Sequence, residues 1–104
     1  MKVLTQLLSV NKNREQDATI TFGCSLTDLQ QIEKFVEQVT VKFWIDGSKE
    51  EDKILGNVVN TTTTVAGDAR CKFKLKTPAT ENIKTSQLST LCGSELEINI
   101  ELDA

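Results

Sequence analysis

From residue 69 to residue 77 the chain alternates without a break, with Ala69, Cys71, Phe73 and Leu75 on one side and Arg70, Lys72, Lys74 and Lys76 on the other. Residues 94 to 102 repeat the pattern with the opposite charge. There Leu96, Ile98, Ile100 and Leu102 face away from Glu95, Glu97, Asn99 and Glu101. Successive side chains of extended backbone point to opposite faces, so an unbroken period of two marks a strand with one face in a core and the other in water. A third run, residues 39 to 45, sets Val39, Val41, Phe43 and Ile45 against Thr40, Lys42 and Trp44. These runs commit the chain to a sheet with one apolar face.

The remaining segments fall between them. Residues 2 to 10 read as a strand whose doubled apolar pairs, Val3-Leu4 and Leu7-Leu8, call for a bulge or for burial on both faces. Residues 17 to 23 alternate more cleanly through Ala18, Ile20 and Phe22, and the two segments are expected to form a hairpin. Ser25 with Asp28 fits a capping box, and Leu29, Ile32, Phe35 and Val36 share one helical face, which predicts a helix over 26–38. Residues 46 to 48 are a turn, and 49–56 is a charged, solvated connector. A Val- and Thr-rich strand over 58–65 and a turn at 66–68 then lead into the strand 69–77. A weaker helix over 81–92, from Thr80 to Gly93, uses Ile83, Leu88 and Leu91.

Each half thus reads strand, strand, helix, strand. Asp17-Ala18 followed by Phe22 is echoed by Asp68-Ala69 followed by Phe73. The expected fold is α+β: two ββαβ-like halves, residues 1–48 and 57–104, with a mostly antiparallel sheet and two helices in one unit. Neither half buries enough surface alone, so the two are expected to share a core. Chance also produces so short an order, and internal duplication is the reading preferred over it.

The opening Lys2-Val3-Leu4, then Ser9-Val10-Asn11-Lys12-Asn13, Ile20-Thr21-Phe22 and the capped helix resemble small uncharacterised proteins encoded by phages and prophages. The likeness covers about the first 45 residues and carries no chemical motif. It implies a phage or mobile-element accessory protein and transfers no site residue.

Composition excludes several classes. Twelve Lys and Arg against fifteen Asp and Glu leave a formal charge of −3, with 26% charged residues of both signs and 38% hydrophobic. No apolar run nears the roughly 18–20 residues of a membrane helix. Thr5, Gln6 and Ser9 interrupt the N-terminal apolar stretch and no small-residue cleavage site follows it, so a cytoplasmic protein is expected. Cys24, Cys71 and Cys92 show no C-x-x-C spacing and the chain has no His, so reduced thiols, no metal and no cofactor are expected. Without His, a Gly-rich phosphate loop or a nucleophile motif, the chain reads as a non-enzyme.

Two strand faces and one aromatic carry the functional reading. The cations Arg70, Lys72, Lys74 and Lys76 recur about every 7 Å along a strand, a spacing suited to an extended anionic backbone. The expected use is internal: a crossover through 78–93 would set this strand beside 94–102, and cross-strand ion pairs would fix register. Trp44 lies opposite the apolar face of its strand. It either packs under the second half, meets another copy or anchors a partner.

The reading preferred is a macromolecule-binding protein whose partner is a protein, using Trp44, Lys42, Glu95, Glu97 and Glu101. One alternative is a nucleic-acid module using Arg70, Lys72, Lys74, Lys76 and Trp44, which net acidity disfavours. Another is a homo-oligomeric, virion-type component that pairs edge to edge through 58–65. No residue identifies a small ligand.

Overall fold

The computed structural model describes residues 1–13, 17–36, 40–62 and 71–103. Its strands are β1 (Lys2–Lys12), β2 (Ala18–Cys24), β3 (Val41–Ile45), β4 (Ile54–Thr62), β5 (Cys71–Thr77) and β6 (Glu95–Leu102). Two short helices join them, α1 (Leu26–Ile32) and α2 (Asn82–Ser89), and 3-10 turns occupy Glu33–Phe35, Glu50–Asp52 and Ala79–Glu81.

The strands close into a six-stranded barrel in the order β1-β2-β5-β4-β3-β6, with every neighbouring pair antiparallel. This overturns the α+β expectation. The strand order within each half is as read, but neither half is a unit. Only β1 and β2 of the first half pair with each other, while β3 joins β4 and β6 of the second. Closure gives every strand a partner on each side, where two open half-sheets would leave outer strands with one side unpaired. The echo between Phe22 and Phe73 marks direct register partners rather than separate cores.

One apolar cluster draws on all six strands. At its centre Phe22 stacks on Phe73 with centroids 5.3 Å apart and meets the edge of Phe43 at 6.3 Å. Offset and edge-on contacts of this kind suit the ring quadrupoles. In β1 the bulge resolves the doubled apolar pairs, shifting register between Leu7 and Ser9. Val3 and Leu7 are buried and Leu4 is exposed, while the Thr5 hydroxyl, turned inward, donates to the Leu96 carbonyl at 2.9 Å.

The helices close opposite ends of the barrel, because α1 follows β2 upward and α2 follows β5 in the reverse direction. Ser25 caps α1 by accepting from the Asp28 amide, as the capping box requires. The α-helix ends at Ile32 and tightens through the 3-10 turn at Glu33–Phe35. Val36 is then extended and bridges Val58, so the helix is shorter than 26–38, whose last two positions lie outside the described residues.

The second helix begins at Asn82. It buries Thr85 and Leu88 and leaves Ile83 80% exposed, contrary to the face read from the sequence. β4 starts at Ile54, inside the stretch read as connector, because Ile54 enters the core opposite Phe43. The turn read at 66–68 lies outside the described residues.

Candidate binding faces

The two charged strands are the farthest apart that the barrel allows. In the six-membered ring, β5 and β6 are separated by two strands on either side, so they stand on opposite walls. The ion-pair ladder expected between them does not form. Its premise was a crossover returning to a neighbouring strand, but the chain after β5 crosses the barrel end through α2 and pairs β6 with β1 and β3.

On the basic wall, β5 lies between β2 and β4. Lys72 faces Gly23 and Thr62, Lys74 faces Thr21 and Asn60, and Lys76 faces Thr19 and Asn57. The three lysines are exposed, and their inward alternates Cys71, Phe73, Leu75 and Thr77 are buried. This separation is what the period of two dictates. Lys76 Nζ lies 3.1 Å from Asp17 Oδ2. The Asn13 side chain and then that ammonium hold the Asp17 carboxyl below the ordinary aspartate range. Among the described residues no carboxylate lies within 4.0 Å of Lys72 or Lys74. Arg70 lies outside the described residues.

The opposite wall is β1-β6-β3, and it gathers the other residues singled out by sequence. Lys42 is the register partner of Glu101, and Trp44 of Asn99. Glu97 and Glu95 face Leu4 and Gln6 of β1. Part of this charge is already paired. Lys2 reaches Asp46 at 3.5 Å and Glu97 at 4.0 Å, and Lys42 reaches Asp103 at 3.5 Å. The Asn99 amide donates to Asp46 at 3.0 Å, and this bond, with Lys2 nearby, holds the Asp46 carboxyl below its ordinary value.

Trp44 is half-buried. Lys53 Nζ sits 4.1 Å from its ring centroid, a cation–π contact that already occupies one face. Lys53 was read as part of a solvated connector. Its place directly before Ile54, the first residue of β4, is the signal that could have found it.

A charged groove adjoins this wall, formed by Lys42, Glu50, Lys53, Glu81, Lys84 and Asp103. Its charges pair internally. Lys53 meets Glu50 at 2.7 Å, which holds that carboxyl below its ordinary value, and Lys84 meets the buried Glu81 at 3.2 Å without hydrogen-bond geometry. Lys84 also donates to the Lys53 carbonyl at 2.8 Å and so ties α2 to the start of β4.

In the described part of 58–65, β5 takes one side of the strand, while on the other side β3 pairs only with Ile54, Leu55 and Gly56, and Val58 alone bridges to Val36. Among the described residues no helix is long and apolar enough to cross a membrane. Comparison with family models, with curated proteins and with solved structures returned no match.

Proposed function

We propose that the chain is a non-catalytic binding module that holds an acidic protein surface against its β2-β5-β4 wall. The observation that carries this reading is the contrast between the two walls. Lys2 and Lys42 offset part of the acidic wall, whereas Lys72 and Lys74 have no acidic neighbour among the described residues. Two cations with no acidic neighbour among the described residues, on a strand paired on both sides and flanked by Thr and Asn hydrogen-bonding groups, give electrostatic complementarity at little ordering cost.

A protein partner is preferred to single-stranded nucleic acid because the outward positions of this wall carry no aromatic ring on which a base could stack. The net charge of −3 works in the same direction.

Fluorescence anisotropy with a labelled oligoglutamate and a labelled oligothymidylate of equal charge tests it. The expected result is oligoglutamate binding that weakens with salt and is lost in the double variant Lys72→Glu, Lys74→Glu. Tighter binding of oligothymidylate would transfer the wall to the nucleic-acid reading. Two phosphate contacts, at Lys72 and Lys74, would then cost about sevenfold in affinity between roughly 50 and 200 mM salt. Binding of neither probe at low salt overturns both.

A further inference from the structure

The end of the barrel closed by α2 contains a cavity of about 150 Å³. Its buried walls are Phe22, Phe43, Ile54 and Ile98 from the barrel and Leu88 from the helix, with Leu91 and Leu96 half-buried beside them. Protein interiors are packed as densely as organic crystals, and voids larger than a water molecule are few. An apolar cavity of this volume takes up a single benzene-sized molecule in other proteins. Barrel mouths are also a recurrent place for small-molecule sites, whose usual make-up is an apolar lining with a few convergent polar groups.

The polar lining narrows the ligand class. Ser48, Asp52, Lys84 and Gln87 complete the cavity, and these residues are exposed or half-exposed, so they flank its opening. Lys84 is engaged by Glu81 and by the Lys53 carbonyl, and no second cation lines the cavity to meet an anion. Ser48 and Gln87 offer a neutral hydroxyl and amide. The helix over the opening is thinly held: it is eight residues long, buries only Thr85 and Leu88, and has no side-chain N-cap hydrogen bond. Elements with so few buried apolar groups are the ones that open locally at low cost.

We propose that this cavity binds a small uncharged ring compound of benzene or phenol size, admitted by local opening of α2, with a single hydroxyl tolerated at the Ser48 and Gln87 side. The site shares β2 and β4 with the basic wall but takes only their inward side chains, Phe22 and Ile54, and none from β5. Trp44 lines the cavity and is the chain's one Trp, with no Tyr, so the intrinsic emission comes from a residue of the site.

The test titrates benzene and phenol into the full chain, reading Trp44 emission, melting temperature and methyl chemical shifts. Saturable changes in emission are expected, with a rise of several degrees in Tm at ligand well above Kd. Methyl shifts should move at Leu88, Leu96 and Ile98 and stay fixed at the exposed Leu4 and Ile83. Leu91→Phe, which places a ring in the cavity, should abolish the response. If that variant does not fold, Leu96→Phe supplies the ring from the facing wall. No saturable response in the native chain, shifts centred elsewhere, or a response that survives the added ring would overturn the proposal.

Discussion

At the residue scale, the tightest constraint falls on Gly56. A Cβ there would stand 2.9 Å from the Lys76 carbonyl oxygen, 3.3 Å from Thr77 Cγ2 and 3.4 Å from Phe43 Cε1. The first of these is backbone and has no rotamer in which to retreat, so the strand itself must move. Gly56→Ala is expected to cost about 1–3 kcal/mol, the usual range for overpacking. A lower urea midpoint at unchanged m would report it.

Cys24 gives the second residue-scale prediction. Burial, then the neighbouring Cys71 and Asp28, push its thiol up to about 12 from 9.0. The folded state therefore holds this proton more tightly than the unfolded chain. The associated stability is complete below pH 9 and is lost as pH rises toward 12. Urea unfolding at mildly and strongly alkaline pH should show a smaller alkaline loss in Cys24→Ala than in the native chain. The raised pKa and the burial of Cys24 both oppose thiolate formation at pH 8, so iodoacetamide should label the exposed Cys92 first.

At the element scale, the strands were legible and the helices less so. The charged alternation was visible over the described β5, Cys71–Thr77, and over β6 as far as Ile100, because burial of one face imposes a period that needs no knowledge of neighbours; Leu102, read as inward, is 52% exposed, and Ala69 and Arg70 lie outside the described residues. Trp44 and Lys42 likewise fell on the outward face where the alternation put them. The second helix was read only in part, since Leu88 and Leu91 pack on the core as expected and Ile83 does not. Its one long aliphatic residue before Leu88 is Ile83, which points to water, and Thr85 takes the buried place with its hydroxyl donating to the Asn82 carbonyl at 3.1 Å. A hydroxyl satisfied by its own helix is cheap to bury, so polarity misidentified the inward face. The relation between β5 and β6 yields a prediction at this scale. Lys72→Glu and Glu97→Lys stand on opposite walls, so their stability effects should add within about 0.5 kcal/mol. A charge-reversal rescue larger than that would restore the ladder and contradict the strand order.

At the scale of the whole molecule, closure depends on the two ends of the chain. β6 pairs with β1 and β3, and Met1 and Ile100 exchange backbone hydrogen bonds, the Met1 amine donating at 2.9 Å and the Ile100 amide at 2.8 Å. Removing residues 95–104 would expose an edge on both β1 and β3 and delete Ile98 and Ile100 from the core. The truncated chain is expected to lose cooperative unfolding in a thermal melt, whereas a chain folding as two halves would retain a transition from residues 1–48.

What the sequence determined by itself is local: which segments are extended, which face of most of them turns inward, where Ser25 starts a helix and that β1 must either bulge or bury both faces. Each follows from backbone geometry and the cost of leaving apolar groups in water. The order of strands around the barrel, the separation of the basic and acidic walls, the cation over Trp44 and the cavity beneath α2 were decided only by tertiary structure. They depend on which distant segments pair so that every strand gains a neighbour on each side and one core is filled, and the period of any single strand is compatible with many such pairings.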